Sequence, residues 1–141
     1  MSSFKVFDIA GSGMAAQSVR LNTVASNLAN AESVSGSADT AYRARHPVFE
    51  AVRSQVAAGQ SGGDAGTAVR VSGIMEDSRQ PEMRYQPGNP LANADGYVFA
   101  PNVNVVEEMV DMISASRAYQ NNVEVMNTSK ELLLATLKLG S

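Results

Sequence analysis

The sequence contains no cysteine and no tryptophan, and it has a single histidine. Without cysteine the chain has neither a disulfide nor a thiolate for covalent catalysis or zinc binding. The lone His46, which precedes Pro47, is interpreted as an ordinary strand or loop residue rather than a catalytic or metal-binding group. These absences argue against thiol enzymes and against cysteine–histidine metal centres.

An excess of basic charge is also missing, because 11 basic and 14 acidic residues give a formal net charge of -3. This balance favours neither nucleic acid nor an anionic membrane surface as a partner. No apolar run approaches the roughly 18–20 residues that a membrane-spanning helix needs. The first ten residues include Lys5 and Asp8, and no unbroken apolar stretch follows them, so no cleavable signal peptide is expected.

Glycine and proline divide the chain into three parts. Residues 36–99 hold eight of the eleven Gly and four of the five Pro. Since both residue types break helices, the flanks are expected to be helical and the middle to be β-rich and irregular. We therefore expect an N-terminal helical part over residues 1–35, a middle module over 36–101 and a C-terminal helical part over 102–141.

The first part predicts a helix over residues 4–30 with a narrow apolar stripe. Apolar side chains recur every seventh residue, with others three places later, and this heptad spacing is typical of a coiled coil. Gln17 interrupts the stripe, and Gly11 and Gly13 indicate either a kink or a place where another backbone comes close. The assembly positions expected on this helix are Phe7, Met14, Leu21, Val24 and Leu28.

The last part predicts a longer helix, over residues 104–139. Asn104 followed by Glu107 resembles an N-terminal capping box, and Gly140 is suited to end the helix. Glu107, Glu108 and Asp111 are interpreted as compensating the positive end of the helix dipole from a solvated face. At 1.5 Å per residue the helix is roughly 50 Å long, a length that suggests a coiled coil.

The heptad spacing of this second helix is stronger, although Ser116 and Lys130 interrupt it. A helix with so narrow a stripe cannot bury it alone, and the simplest arrangement pairs the two terminal helices as an antiparallel coiled coil. The predicted fold is therefore mainly α with a small β module that projects from one end of the pair. The assembly positions expected on the second helix are Val105, Met109, Met112, Tyr119, Val123, Met126, Leu133 and Leu137.

The middle module predicts short strands separated by turns. Residues 68–75, 82–86 and 97–100 are rich in strand-forming types, and 42–52 reads as an extended piece. The sequences QPGNP and ADG supply turn residues between the last two strands. Residues 57–66, of low complexity, predict a flexible loop.

A dinucleotide-binding turn is a competing interpretation of the N-terminal part. Residues 11–16 match G-x-G-x-x-A, and residues 5–9 before them have the composition of a strand. No alternation of strands and helices follows, and no second strand leads to Glu32, the candidate acidic ribose contact. A single helix explains the segment equally well, and an enzyme is the less favoured hypothesis.

Polar but uncharged side chains cover much of what remains on both helices. Such surfaces suit close packing against neighbours better than solvation, so we expect a self-assembling structural protein, with a helical-hairpin adaptor or export chaperone as another alternative. The residues concerned are Asn22, Ser26, Asn27, Asn30, Gln120, Asn121 and Asn122.

Seven segments of the chain carry a family resemblance, namely FDIAGS (7–12), ASNLANA (25–31), YQPGNPL (85–91), GYV (96–98), NVNVVEEMV (102–110), MISASRAYQ (112–120) and NVEVMNT (122–128). With these segments most of the chain resembles the family of flagellar basal-body rod proteins. The N-terminal segments are similar to a motif that rod and hook proteins share, and the C-terminal segments are similar to a closing signature of rod proteins. Two departures, Asn104 and Asn121, leave the apolar stripe untouched.

The resemblance implies a structural subunit of the proximal rod, which crosses the periplasm and transmits motor torque to the hook. It implies export by the flagellar type III apparatus and polymerisation with other copies of itself into a helical tube. The neighbours it implies are the rod proteins FlgB and FlgF and the base protein FliE, with the terminal helices forming the inner wall. No catalytic residue, cofactor, metal, nucleic acid or small-molecule substrate is expected.

Overall fold

The structure, a computed structural model, describes residues 3–53 and 66–140. Within these residues, one long helix precedes four strands along the sequence and a second long helix follows them, with bounds that agree closely with the predicted ones. Apart from Gly66, the predicted flexible loop at 57–66 lies outside the described residues. The elements are α1 Ser3–Asn30, β1 Arg45–Arg53, β2 Thr67–Glu76, β3 Glu82–Tyr85, β4 Tyr97–Ala100 and α2 Val105–Leu139.

The helices α1 and α2 pack against each other in opposite directions. Arg20 on α1 forms an ion pair of 2.7 Å with Asp111, near the start of α2. Nearer the other end of the pair, Gly11 lies opposite Met126. The expected fold class, mainly α with long antiparallel terminal helices and a small β part, is confirmed. Neither helix is long and apolar enough to cross a membrane.

The start of α2 is fixed by the Asn104 half of the predicted capping box. The Asn104 side-chain oxygen accepts hydrogen bonds from the backbone N–H groups of Val106 and Glu107, at 3.1 and 3.4 Å. These N–H groups lack partners within the helix, so the cap satisfies them and sets the first residue of the helix. At the far end, the Gly140 N–H donates to the Thr136 carbonyl oxygen at 3.2 Å.

The described part of the middle module forms two separate two-stranded antiparallel sheets. In the first, Arg45 of β1 lies opposite Glu76 of β2, and the register shifts between Val48 and Phe49. In the second, β3 pairs with β4 across a connection that contains both predicted turns. His46 lies on β1, as the interpretation of it as an ordinary strand residue requires.

The first sheet lies along α1 instead of projecting from one end of the helix pair, so that expectation was wrong. The backbone N–H of Val69 on β2 donates to the Ser12 hydroxyl on α1 at 3.1 Å. A two-stranded sheet is at best marginally stable alone in water. Packing along α1 gives the hairpin a partner.

Hydrogen bonds from the segment after α1 and from the segment after β4 hold the second sheet in place. Ser35, just after α1, exchanges two backbone hydrogen bonds with Phe99 of β4, at 2.9 and 2.8 Å. Asn102, just after β4, accepts from the Ala44 N–H at 2.7 Å and donates to the Arg79 carbonyl at 2.8 Å. Asp77 donates its backbone N–H to Ala44, and the side-chain hydrogen bond from Arg79 lowers the pKa of the Asp77 carboxyl.

The core of the described residues is thin and built mainly from small side chains. Small residues let backbones approach closely, but they bury little apolar area each. Many large apolar side chains are exposed, among them Phe4, Val106, Val110 and Leu139. Apolar surface of this extent is typical of proteins that bury it against partners. The buried apolar residues are Ala10, Ala16, Val24, Ala31, Ala41, Ala44, Val98, Ala100 and Ala115.

Replacing Asn102 tests the junction between the two sheets and α2. We expect Asn102→Ala to lower the free energy of unfolding by about 1–3 kcal/mol, because the Ala44 N–H loses its acceptor in a buried position. Urea unfolding followed by circular dichroism measures the change. Asn121→Ala, on the exposed surface of α2, is the matched control and is expected to leave stability within about 0.5 kcal/mol. An equal loss of unfolding free energy in both variants would show that the Asn102 hydrogen bonds do not stabilise this junction.

Candidate assembly interface

The seam between the helices carries small and polar residues of α2 at heptad spacing. Glu108 and Ala115 are buried, and Asn122 and Ser129 are half-buried. Larger apolar side chains flank this line instead of filling it. Small side chains at the centre bring the two helix backbones close together and leave many of the large ones for other contacts.

At Gly13 the absence of a side chain lets α2 approach α1 closely. A Cβ atom at this position would lie 2.9 Å from Nδ2 and 3.0 Å from Oδ1 of Asn122. These distances are shorter than van der Waals contact, so a larger residue here would require the Asn122 side chain to move. The sequence left two interpretations of the glycines, a kink or the close approach of another backbone. At Gly13 a close approach is found, but the approaching group is the side-chain amide of Asn122 and not a backbone.

The glycines do not form a dinucleotide-binding turn. Residues 5–13 are all helical and belong to α1, which runs without a break from Ser3 to Asn30. A phosphate-binding turn requires a strand followed by a loop that leads into a helix. The competing interpretation was therefore wrong. In the described part of the chain, no group of three or more His, Cys, Asp or Glu side chains could hold a metal ion.

One buried amide, that of Asn27, links both helices to the start of the β module. Its Nδ2 donates to the Arg45 carbonyl oxygen at 2.8 Å and to Oε1 of Glu108 at 3.0 Å. Its Oδ1 accepts from the Tyr42 hydroxyl and from the Arg45 N–H, both at 2.9 Å. Both N–H donors and both acceptor positions of the amide are thus used, and the side chain is fully buried. Asn27 is the centre of a hydrogen-bonded hub that comprises Asn27, Tyr42, Arg45 and Glu108.

Glu108 does not lie on a solvated face, so that part of the interpretation of the acidic group was wrong. Only 4% of Glu108 is exposed, and its Oε2 is buried with no hydrogen-bond partner among the described residues. Glu107 is exposed as expected, whereas Asp111 is half-buried beside Arg20. The other oxygen of Glu108, Oε1, accepts a hydrogen bond from the Asn27 amide, which is more than eighty residues away in sequence. The burial of Glu108 therefore goes with a tertiary contact that a local sequence pattern does not reveal.

The predicted assembly positions fall into two groups. On α1, Val24 is buried, and the other four are half-buried: Phe7, Met14, Leu21 and Leu28. On α2, those that are half-buried are Met112, Val123, Met126 and Leu133. The remaining α2 positions are exposed, namely Val105, Met109, Tyr119 and Leu137. The structure therefore buries or half-buries part of the predicted stripe and leaves the rest exposed.

The outward faces of the two helices differ in the size and polarity of their side chains. On α1 it carries small uncharged residues at heptad spacing, namely Ala15, Ser18, Asn22, Ala25 and Ala29, all of which are exposed. On α2 it begins with the apolar residues Val106, Val110 and Ile113 and continues with Arg117, Gln120 and Glu124. Sequence reasoning did not assign Val106, Val110 and Ile113 to the interface, although they follow the same alternating steps of four and three.

Comparisons with known proteins identify relatives of the whole chain. A family described as "Flagella basal body rod protein" matches residues 7–36, and one described as "Flagellar basal body rod FlgEFG protein C-terminal" matches residues 94–139. The flagellar basal-body rod protein FlgC of Yersinia enterocolitica is 56% identical, with 99% of each chain covered. The FlgC proteins of Salmonella typhimurium and Bacillus subtilis are 51% and 36% identical, again with 99% of each chain covered.

Removing the Asn27 amide tests the hub. We expect Asn27→Ala to lower the free energy of unfolding by about 2–4 kcal/mol, because it leaves Oε1 of the buried Glu108 and the part-buried Arg45 N–H without these partners. Chemical denaturation of the purified chain measures the change.

The matched control for the hub is Asn22→Ala, which removes an amide from the exposed face of the same helix. Its free energy of unfolding is expected to equal that of the unmodified chain or to exceed it slightly, since alanine favours helix. A loss at Asn27 no larger than that at Asn22 would show that the buried amide does not hold the helices together.

Proposed function

The chain belongs to the FlgC family of flagellar basal-body rod proteins, and we propose that it assembles with itself and with other rod proteins into a helical tube. It is a structural component of the basal body, and its role in the rod is mechanical rather than enzymatic. Within the tube, residues 1–35 and 102–141 form the wall, and residues 36–101 form a module outside it.

The observation that carries this proposal is the small and apolar outer surface formed by α1 and by the first turns of α2. The outward side of α1 offers small residues, and the first turns of α2 offer exposed Val106, Val110 and Ile113. A protein that remains alone in water rarely leaves so much apolar surface uncovered. A contact that joins different surfaces of identical subunits, and does not close into a ring, generates a helical tube.

The predicted positions divide between two roles in this proposal. The buried and half-buried ones, such as Val24, Met112 and Met126, hold α1 against α2 within one subunit. The exposed ones, such as Met109 and Leu137, face neighbouring subunits. Two paired helices, the longer roughly 50 Å in length, form a stiff unit that suits the transmission of torque from the motor to the hook.

We further propose a place and a set of partners for the subunit. It is exported through the flagellar type III apparatus and adds to the rod in the periplasmic space. Its neighbours there are other copies of itself, FlgB, FlgF and FliE. Retention of the chain in purified basal bodies separates this role from that of an export chaperone, which would be lost during purification.

Deleting residues 132–141 tests whether the helix ends join subunits. We expect the shortened chain to be made and exported but absent from rods, because it loses Leu132, Leu133, Leu134, Leu137 and Leu139. Each leucine that becomes fully buried contributes about 1.5–3 kcal/mol, so their loss undoes a marginal contact. The measurement is swimming, with immunoblots of periplasm and of basal bodies, in a strain that lacks its own FlgC.

The control in the same strain is the unmodified chain, which is expected to restore swimming and to be found in basal bodies. Shortened chains built into rods that support swimming would contradict the claim that the helix ends join subunits. Failure of the unmodified chain to enter basal bodies would contradict the proposed function itself.

A further inference from the structure

A polar cavity of about 500 Å³ lies between the C-terminal end of α1, the segment that connects α1 to β1, and the paired ends of β1 and β2. Its lining includes several hydroxyl groups and four charged side chains, namely Asp39, Arg43, Arg45 and Glu76. Arg45 and Glu76 form an ion pair with each other at 3.2 Å, so their charges are balanced within the subunit. The cavity borders the Asn27 hub, because Arg45 belongs to both.

Arg43 and Asp39 are the charged groups of this cavity that the subunit leaves unbalanced. No described residue forms an ion pair or a hydrogen bond with the Arg43 guanidinium or with the Asp39 carboxylate. Arg117 and Lys130 also lack such partners, but both are exposed, whereas Arg43 is half-buried. Partial removal from water strengthens the attraction of a charge for an opposite charge, compared with a fully exposed one. The cavity therefore offers a half-buried cation whose five N–H donors are available to a partner.

The chain is firmly held on both sides of Arg43. The Tyr42 hydroxyl donates to the buried amide of the hub at 2.9 Å. The backbone N–H of Ala44 donates to Oδ1 of Asn102 at 2.7 Å, and its carbonyl oxygen accepts from the Asp77 N–H at 2.7 Å. Because its neighbours are fixed, Arg43 is presented from a rigid support, and a partner that binds it loses less conformational entropy. The fold thus positions an arginine for which it supplies no partner.

The chemistry of the cavity favours an acidic protein side chain as its occupant. The planar guanidinium group matches a carboxylate, with which it can form two parallel hydrogen bonds. The cavity is open to solvent, so it does not enclose a small molecule as a ligand pocket does, but a side chain on a neighbouring surface can enter it. Other copies of the chain carry exposed carboxylates that no ion pair occupies, such as Asp95 and Glu124. Neighbouring subunits can therefore supply the complementary charge.

We propose that the cavity around Arg43 receives an acidic side chain from a neighbouring subunit of the rod. The carboxylate accepts hydrogen bonds from the Arg43 guanidinium, and the unpaired Asp39 accepts a hydrogen bond from a donor on the same neighbour. The contact lies on the middle module and not on the terminal helices. This inference rests on the proposed function and names a surface through which the module outside the wall joins its neighbours.

Zero-length cross-linking tests the contact through the chemistry that defines it. The variant Arg43→Lys keeps the positive charge and supplies an amine, which a carbodiimide joins to a carboxylate that lies against it. Basal bodies would be purified from a strain in which this variant replaces FlgC, treated with carbodiimide and digested, and the linked peptides identified by mass spectrometry. We expect an amide between position 43 and an aspartate or glutamate of another rod subunit. The purified, unassembled variant is expected to give no link at position 43, because no described carboxylate pairs with Arg43.

The matched control is Arg70→Lys, since Arg70 already pairs with Glu50 of the same chain at 2.8 Å. Position 70 is expected to link to Glu50 both in basal bodies and in the unassembled chain, which shows that the reagent reaches the middle module. Basal bodies in which position 70 is linked and position 43 is not would overturn the proposal. So would a link from position 43 that is the same in the unassembled chain, because its partner would then be internal.

A second comparison measures assembly directly. Arg43→Gln and Arg70→Gln each remove one positive charge from the middle module, and both are expected to keep the thermal unfolding midpoint close to that of the unmodified chain. Only Arg43→Gln is expected to reduce incorporation into basal bodies, by about tenfold or more, because it leaves the neighbour's carboxylate without its partner.

Equal incorporation of Arg43→Gln and Arg70→Gln would overturn the proposal. A lower unfolding midpoint for Arg43→Gln than for Arg70→Gln would also overturn it, since Arg43 would then support the fold of its own subunit. Absence of the unmodified chain from basal bodies would contradict the proposed function itself, whereas its presence together with equal incorporation of both variants would contradict this inference alone.

Discussion

The arrangement of this chain depends on the buried amide of Asn27, which lies where α1, α2 and the start of β1 meet. Each of its hydrogen-bonding positions is used, two by Arg45 and one each by Tyr42 and Glu108. A buried polar side chain is costly unless its partners are present, so the hub favours one relative placement of the three segments. The small apolar side chains in the seam would allow several placements, and the amide selects among them.

The thin core explains why the subunit leaves so much apolar surface for its neighbours. Alanine and glycine bring the helices close, as at Gly13 beside Asn122, but they contribute little apolar burial. Many of the larger apolar side chains of α2 are therefore exposed in a single copy. The small residues that bring the helices together thus also leave apolar surface for contacts with other subunits. The relative placement of the helices is specified by polar groups such as the Asn27–Glu108 pair.

Local signals in the sequence predict the elements well. Glycine and proline confine irregular structure to the middle, and Asn104 marks the start of α2 because its side chain satisfies N–H groups only two and three residues away. Runs of strand-forming residues and the turn residues between them predict the bounds of β2, β3 and β4 to within a residue or two. All of these effects act over a few positions, so one sequence is enough to identify them.

Long-range features could not be predicted in the same way. On α2, the steps of four and three are satisfied by Val105, Met109 and Met112, but equally by Val106, Val110 and Ile113, so the spacing alone does not choose the buried face. The chosen face includes Glu108, which no hydrophobic pattern would place inside. Its burial depends on Asn27, and the path of the hairpin along α1 depends on contacts such as Ser12 with Val69. Both are tertiary contacts that override local preference.

We propose that the helix pair of one chain, fixed by the Asn27 hub, is the unit that builds the rod. A cryo-electron microscopy map of basal bodies containing this chain, at a resolution that traces side chains, is the most direct test. We expect Asn27 and Glu108 of the same subunit to lie within hydrogen-bond distance, with α1 and α2 antiparallel. A map in which α1 of one subunit pairs instead with α2 of a neighbour, leaving Asn27 against a different chain, would contradict it.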